Sequence, residues 1–473
     1  MLTHGMLAVP ASAMSEPLVL AIDLGTSAVK TALVSADGSV SAGARRVLHG
    51  ASPAGWRRSA LATARLTLAG VDPQRVAGLA LCGRGGATIL CDAAGRALAP
   101  ALTGTPPADF AAEAPARLRS LIWRVQQAAG QTPSLQHRLR WVLAAKDFLL
   151  LRLTGEAATD PASGPDALAW PGTDSTACIS AEHLPAVRLP WEVAGSLQAG
   201  AASALGLPAG LPVVSGLHDG VAAQTGAGAL QPETAALTLG THIVLRAVRA
   251  DAPAAAARFR FYSLWGERDG RGVYGGNARL GGAALSWAAR LLGAGEASLP
   301  ALERAAAAVP PGSDGLLFMP YLGGMVCPCR RPDLRGAWLG LRQQHGRGQL
   351  FRAVLEGTAC AVRQIAAALA QSGVVPSRLT LTGGGARSAL WRQILADALN
   401  QPLCASAAPN FAECVGAARC AWVALGHYPS VDAAIAGGLP PAVVAEPDAA
   451  GVQAMARIYD DFLAALTAGV TSV

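Results

Sequence analysis

The sequence is poor in lysine and in charged residues as a whole. Charged residues make up 15% of its 473 residues, and Lys30 and Lys146 are the only lysines among 38 basic residues. The arginines form no basic block and are not interleaved with aromatic residues, so nucleic-acid binding is not expected. No uninterrupted apolar run reaches the roughly 18 residues that would span a bilayer. A membrane-spanning helix is therefore not expected either, and the 52% hydrophobic content is assigned to core.

The cysteines show no pattern that would indicate a metal site. All nine are irregularly spaced, and the pair Cys327 and Cys329 lacks a second pair at zinc-site spacing. Reduced thiols in a cytoplasmic protein fit this usage best. Residues 1–16 lack the opening lysine or arginine of a signal peptide, and Pro10 interrupts their apolar part. A disordered N-terminal extension is expected there.

The length of the chain predicts two domains. A chain of 473 residues is too long for one compact core. No low-complexity linker marks the boundary, but the strand-rich pattern restarts after residues 231–234. We therefore expect an N-terminal domain over residues 17–232 and a C-terminal domain over residues 233–473.

The stretch over residues 18–34 predicts two strands joined by a tight turn. Residues 18–22 form an apolar run without polar alternation, as in a strand that is buried on both faces. The turn Gly25-Thr26-Ser27 combines a residue without Cβ and two hydroxyls, which suits close contact with phosphate oxygens. Asp23 ends the first strand, where a carboxylate can hold Mg²⁺ directly or through water. An ordinary hairpin explains the same residues.

Two later segments add to this pattern. One covers residues 211–228 with the turn at 237–242, and the other covers residues 379–397, with the glycine triplet at 383–385. In this order and spacing, the three stretches resemble the FGGY family of carbohydrate kinases, xylulokinase-like members most of all. The resemblance implies an α/β fold of two actin-like (ribonuclease H-like) domains with ATP in the cleft between them. It also implies a β-β-β-α-β order for the first part of the chain.

The resemblance further implies which residues bind ATP and Mg²⁺. Asp23 is expected to orient the metal, and Lys30 follows the first turn, where a compact ammonium suits phosphate. The second turn reads Gly240-Thr-His-Ile243 where the family usually has Gly-Thr-Ser-Gly, so His242 either donates to a phosphate or is simply packed. The nucleotide-binding residues expected are Gly25, Thr26, Ser27, Lys30, Gly240, Thr241, Gly282, Gly383, Gly384, Gly385 and Ser388.

Asp219 is the expected general base. It follows a buried strand between glycines, where a carboxylate is costly unless it is used or paired. In the family, the aspartate at this place takes the proton from the attacking sugar hydroxyl. A helix N-cap for a segment starting at Val221 is the alternative. Arg84, His218 and Asp219 are expected to face the sugar, with a plain surface arginine as the alternative for Arg84.

The sugar side departs from the family pattern. Xylulokinases usually carry Ser-Gly-Gln-Met-His-Gly where this chain has Cys82-Gly-Arg-Gly-Gly-Ala87, and a Trp-x-Asp loop where it has Gly104-Thr-Pro106. A family Lys-Asp run matches Lys146-Asp147, which we interpret as a structural ion pair on a helix.

The sequence therefore predicts an ATP- and Mg²⁺-dependent kinase that acts on a small sugar. A ketopentose such as xylulose, or a related sugar or polyol, is the expected acceptor, and a homodimer is the expected assembly. The alternatives are a catalytically weak or inactive relative with a regulatory role and an ATPase of the Hsp70 or actin type.

Overall fold

A computed structural model describes residues 16–104, 116–131, 135, 137–163, 179–251, 253–263, 265, 270–279, 281–293 and 298–469. Its contacts divide the chain into two compact units. The N-terminal unit comprises Met1–Gly226, Ser263–Asp269 and Phe411–Leu439, and the C-terminal unit comprises Ala227–Tyr262, Gly270–Asn410 and Pro440–Val473. A late segment of the chain thus belongs to the N-terminal unit.

The N-terminal unit is a mixed α/β structure. Its elements are β1 (Leu18–Leu24), β2 (Ala28–Val34), β3 (Val40–Val47), α1 (Pro53–Thr67), β4 (Val76–Gly83), β5 (Ile89–Cys91), α2 (Ala116–Gln131), β6 (Trp141–Leu143), α3 (Ala145–Thr154), β7 (Ala158–Thr159), β8 (Ala186–Val187), β9 (Val193–Ser196), α4 (Ala199–Leu205), β10 (Pro212–Val214), β11 (Leu217–His218) and α5 (Asp219–Gly226). In the C-terminal unit, β12 (Thr234–Leu239), β13 (Ile243–Arg249), β14 (Arg260–Ser263), β15 (Gly272–Asn277), α6 (Gly282–Leu291), α7 (Leu299–Ala307), β16 (Leu317–Met319), β17 (Ala337–Leu339), α8 (Arg347–Gln371), β18 (Arg378–Thr382), α9 (Ala389–Leu399) and β19 (Leu403–Ala405) follow. The late segment adds α10 (Ala412–Ala424) and α11 (Val431–Ala436), and β20 (Ala442–Ala445) and α12 (Ala449–Thr467) end the chain.

The first sheet gathers the ends of three parallel strands at one edge. Its order is β3-β2-β1-β4-β10-β9, and β11 also pairs with β4. β1 and β2 are antiparallel, whereas β4 runs parallel to β1 and to β11. All seven residues of β1 are buried, as its continuous apolar run predicts. The carboxyl ends of β1, β4 and β11 therefore lie side by side, which is where ligands bind in open α/β sheets.

Helices pack on this sheet and close its core. α1 lies against β2 and β3, and its Trp56 is buried. Ser52 caps this helix by accepting a bond from the amide of Gly55. α10, from the late segment, packs on β1, β4 and α5. Helix α5, which begins at Asp219, is thereby fixed by a segment almost two hundred residues away in sequence.

The second sheet repeats the strand arrangement of the first. Its order is β14-β15-β13-β12-β18-β19-β20. β12 pairs antiparallel with β13 and parallel with β18, as β1 pairs with β2 and β4. The turn after β12 therefore corresponds by topology to the turn after β1. This correspondence is the structural basis for expecting a phosphate turn in each unit.

One helix among the described residues, α8, is long and apolar enough to cross a membrane. However, 72% of its most apolar stretch is buried inside the protein. It packs against α7, α9 and β16, and its Phe351, Val354 and Leu355 are inaccessible to solvent. We assign it as a core helix of the C-terminal unit.

Most of the predicted elements are confirmed. The β-β-β-α-β order at the start is found as β1, β2, β3, α1 and β4. The sequence pattern also predicts a helix over residues 389–399, and α9 has these bounds. The compact units are less simply bounded than the predicted division after residue 232, because Phe411–Leu439 belongs to the N-terminal unit. Residues 1–15 of the predicted extension lie outside the described residues. Glu16 is described, and its carbonyl accepts two bonds from Arg75.

Candidate active site

The first turn connects β1 and β2 at the carboxyl edge of the first sheet. Its backbone is closed by a bond of 3.1 Å from the amide of Gly25 to the carbonyl of Ala28. A Cβ on Gly25 would lie 2.9 Å from that carbonyl, so the turn requires glycine. Thr26 and Ser27 are exposed. Their side chains are therefore accessible to a ligand, and their contact with phosphate stays a prediction.

Asp23 and Lys30 face each other beside this turn. They are direct partners in the register of β1 and β2, and Lys30 Nζ lies 3.6 Å from Asp23 Oδ2. Glu413 of α10 accepts a shorter bond of 2.7 Å from Lys30 Nζ. The carboxylate of Glu413 therefore holds the lysine, a partner that the sequence did not reveal. A direct contact of Lys30 with phosphate stays a prediction.

The surroundings of Asp23 suit a bound cation. Its side chain is 3% exposed, and its Oδ1 is buried without a hydrogen-bond partner among the described residues. Burial raises the pKa of Asp23 to about 8, although Lys30 opposes this shift, and the carboxylates of Glu413 and Asp219 raise the pKa further. Three carboxyl groups thus share this edge with one lysine. An orphaned oxygen among excess carboxyl groups fits a divalent cation such as Mg²⁺.

Asp219 lies at the same edge of the sheet, at the end of β11, which pairs with β4. It is the first residue of α5, directly after β11, and its side chain is 33% exposed. Its Oδ1 lies 3.2 Å from His218 Nδ1. That nitrogen also accepts a bond of 3.0 Å from the amide of Gly220. His218 therefore satisfies a helix-start amide, and the carboxylate of Asp219 points to solvent.

One expectation for Asp219 is corrected by this geometry. The helix begins at Asp219 rather than at Val221, and in the described part of the chain the Asp219 carboxylate accepts no backbone bond. The N-cap alternative is therefore wrong. The carboxylate is one-third exposed at the end of β11. Asp219 is accessible to a substrate.

Arg84 lies one residue beyond β4 at the same edge. Its guanidinium stacks 4.4 Å above the ring of Trp56, and its Nη1 donates to the Thr26 carbonyl at 3.4 Å. Burial lowers the pKa of Arg84, and the Asp219 carboxylate opposes that shift. The arginine is half-buried, so it is not the plain surface residue of the alternative. Its contact with a sugar stays a prediction.

The second turn packs on the start of α6. The Gly240 carbonyl accepts a bond of 2.8 Å from the amide of Gly282, and the Thr241 carbonyl accepts one of 3.1 Å from Ala283. A Cβ on Gly282 would lie 2.8 Å from the Gly240 oxygen, so the close packing of the turn on α6 explains why this residue is glycine. Thr241 is exposed, and His242 Nδ1 contacts the Arg279 carbonyl. The turn keeps its one hydroxyl available at Thr241.

The glycine triplet after β18 separates into two kinds of position. Gly383 has φ +86°, and a Cβ there would lie 2.7 Å from the Leu239 carbonyl. A Cβ on Gly385 would overlap the ring of Trp391, whereas Gly384 is exposed and has only Asn410 Oδ1 nearby, at 3.9 Å. Ser388 caps α9 by accepting from the Trp391 amide at 3.2 Å. Of these residues, Gly384 is the one with free space above its backbone.

The Lys146–Asp147 ion pair is confirmed. Lys146 Nζ lies 2.6 Å from Asp147 Oδ1 on α3, and each side chain is 1% exposed. The lysine also lies 3.1 Å from Asp160 Oδ1. Sequence reasoning gave no role to Asp160 or to Glu413. Their only sequence signal is an acidic residue among apolar and small neighbours, and their partners lie far away in the chain.

Comparison with known proteins relates most of the chain to one group of enzymes. Residues 121–226 match the N-terminal domain and residues 235–425 match the C-terminal domain of the FGGY family of carbohydrate kinases. The chain is 31% identical to the xylulose kinase of Klebsiella pneumoniae over 442 residues, which cover 86% of this chain and 90% of that protein. It is 34% identical to the xylulose kinase of Escherichia coli K12, over 62% of this chain and 61% of that protein.

A solved structure extends the match to the fold. The xylulose kinase from Rhodospirillum rubrum superposes with a TM-score of 0.78 at 28% identity. The superposition covers 96% of this chain and 99% of that one. Both units described above therefore have counterparts in that structure.

Proposed function

Because the chain belongs to the FGGY family of carbohydrate kinases, we propose that it phosphorylates xylulose or a related ketopentose or polyol, with Asp219 as the base. The predicted family and the two-domain α/β fold are confirmed. The chain is an ATP-dependent sugar kinase by this membership. The choice of xylulose is supported by the xylulose kinases among its relatives.

One observation carries the proposed role of Asp219. Its carboxylate is one-third exposed at the carboxyl edge of the first sheet, where the end of β4 lies between it and the turn Gly25-Thr26-Ser27 after β1. A carboxylate there can accept the proton of a sugar hydroxyl as the hydroxyl oxygen attacks the γ-phosphate of ATP. Arg84, fixed on Trp56, would bind an oxygen of the acceptor. His218 would keep the start of α5 in place.

The remaining roles follow from accessibility. Thr26, Ser27 and Thr241 are exposed on their turns and would contact phosphate oxygens. The amides of Gly25 and Gly240 donate to the carbonyls of Ala28 and His242, so these glycines would shape the two turns around the phosphates. The segment from Gly383 to Ser388 would hold adenosine, mainly above Gly384. ATP between the two domains, a homodimer and a cytoplasmic location stay predictions.

Asp23 would hold Mg²⁺ directly or through water. A bound Mg²⁺ would neutralise charge that develops on the transferred phosphoryl group. Asp23 supplies the buried, unpartnered Oδ1, while Lys30 and Glu413 fix the other side of the carboxyl group. The fold thus leaves one carboxylate oxygen, Oδ1 of Asp23, available for the cation at the end of β1.

The proposed acceptor is tested by measuring ADP release with ATP and Mg²⁺ across ketopentoses, aldoses, polyols and sugar acids. We expect the largest kcat/KM for xylulose or a closely related ketopentose. A neutral sugar of another class with a higher kcat/KM would replace the proposed acceptor. Tight ATP binding without turnover on any of these compounds would favour the regulatory alternative, which the altered Cys82–Ala87 run motivates.

The Asp23→Asn variant is expected to need more Mg²⁺. Asparagine keeps the size of the side chain but removes its negative charge, so the Mg²⁺ concentration for half-maximal rate should rise about 10- to 100-fold. The measurement is a Mg²⁺ titration at saturating ATP and sugar. Asp92→Asn is the control, since Asp92 is also buried in this unit but closes the turn after β5. An unchanged Mg²⁺ requirement in Asp23→Asn would refute the assignment.

A further inference from the structure

The link between β10 and α5 determines where Asp219 lies. It consists of residues 215–218: Ser215, Gly216 and the two residues of β11, Leu217 and His218. Gly216 has φ +80°, and a Cβ there would overlap the carbonyl of Leu81 in β4. The link is therefore pressed against the sheet in a conformation that favours glycine. With so short a strand, its own ladder bonds cannot fix the residue that follows it.

A buried charged cluster lies next to this link. Lys146 Nζ is 2.6 Å from Asp147 Oδ1 and 3.1 Å from Asp160 Oδ1. The three side chains are each 1% exposed. Two carboxyl groups thus share one ammonium in the interior. Such clusters cost desolvation energy and are often replaceable by apolar residues without loss of stability.

The cluster binds both ends of the link. Lys146 Nζ donates to the Ser215 carbonyl at 3.1 Å, and the amide of His218 donates to Asp160 Oδ2 at 3.4 Å. Asp160 Oδ2 also accepts from the Ala162 amide at 3.1 Å, which anchors the carboxylate. Asp160 is therefore connected to the residue just before Asp219, both directly and through Lys146 and Ser215.

The carboxyl groups of Asp147 and Asp160 differ in the backbone groups that they contact outside the cluster. Asp147 bonds within its own helix start, where its Oδ2 accepts from the Ala144 amide at 3.3 Å. Burial raises the pKa of Asp160, but Lys146, Ser163 and His218 outweigh it and bring the pKa below its ordinary value. Burial leaves the pKa of Asp147 raised despite the same lysine. The acid that contacts the link is thus the one whose ionised form its neighbours favour.

We propose that Asp160 is a positioning residue for Asp219: together with Lys146, it fixes the Ser215–His218 link and thereby the start of α5. The proposal rests on the proposed role of Asp219 as the base. It explains why a second buried carboxyl group is present where a single ion pair would satisfy the lysine. A displaced base costs rate, because a shift of about 1 Å can lower turnover by about 100-fold.

The test compares Asp160→Ala with Asp147→Ala. Each variant leaves Lys146 with one carboxylate partner, so both should fold with similar melting temperatures. We expect Asp160→Ala to lower kcat by about 10- to 100-fold while KM for sugar and for ATP changes less than about threefold. Asp147→Ala should keep kcat within about threefold of the parent. Asp160→Asn, which restores an acceptor oxygen for the His218 amide, should recover part of the lost kcat.

Three outcomes would overturn the proposal. They are an unchanged kcat in Asp160→Ala, an equal loss of kcat in Asp147→Ala, and no recovery in Asp160→Asn. If Asp160→Ala does not fold, Asp160→Asn takes its place, because asparagine keeps the side-chain volume. Its kcat should then be lower than the kcat of Asp147→Asn. Failure of the proposed function is recognised separately, because Asp219→Asn would then retain full turnover.

Discussion

Replacement of Asp219 by asparagine is expected to lower kcat for sugar phosphorylation by about 10²- to 10⁴-fold. Asparagine has nearly the same size but cannot accept a proton at neutral pH. The side chain is one-third exposed and makes its close contact with His218, so the substitution should not disturb the fold. Binding of ATP, measured by calorimetry, should stay within a few-fold of the parent, because the residues proposed for adenosine lie in the C-terminal unit.

The matched control for this substitution is Asp37→Asn. Asp37 is an exposed carboxylate in the same unit, bonded to the amide of Ser39 in a turn. Asp37→Asn changes the net charge by the same amount as Asp219→Asn and should leave kcat unchanged. If Asp219→Asn retained more than about a tenth of the parent kcat, Asp219 would not be the base. The proton of the acceptor would then have to leave by another route.

The sequence predicts local structure well where a single pattern decides it. β1 is a continuous apolar run and is buried along its whole length. α9 begins at the residue after a serine cap, and its bounds agree with the prediction. In both cases a short stretch of neighbours carries the whole signal, because burial and capping act within a few residues.

Long-range partners could not be predicted in this way. Phe411–Leu439 belongs to the N-terminal unit, although it follows nearly two hundred residues of the other one. Glu413 in that segment bonds to Lys30, a partner 383 positions away. A helical pattern shows that α10 exists, but it does not show which sheet the helix covers. The charge environment of Asp23 was therefore not visible in the sequence.

The glycine-rich motifs show a second limit. A glycine is required both where a ligand approaches the backbone and where another chain segment does. In the triplet, Gly383 and Gly385 are explained by Leu239 and Trp391, and only Gly384 has open space. The motif lies between the end of β18 and the start of α9. The roles of its individual glycines depend on neighbours that only the folded chain brings together.

Among the substitutions considered, one that disturbs the packing of α5 on α10 is expected to cause the largest loss of stability. The two helices cross at Gly226 and Gly416, where a Cβ on Gly226 would overlap the Ala412 carbonyl and a Cβ on Gly416 would overlap that of Ala222. Both obstacles are backbone atoms, which cannot move aside as a flexible side chain can. Gly416→Ala should therefore cost about 3 kcal/mol and lower the melting temperature by roughly 5–10 °C.

Gly200→Ala is the control that separates packing from helix propensity. Gly200 lies in α4 of the same unit, and a Cβ there would meet nothing within 4 Å. Alanine favours helix by up to about 1 kcal/mol over glycine, so this variant should be as stable as the parent or slightly more stable. Because α5 begins at Asp219, displacement of this helix by Gly416→Ala should also lower kcat per folded molecule. Equal melting temperatures for the two variants would show that the helices can separate without cost, and α10 would then not fix the base.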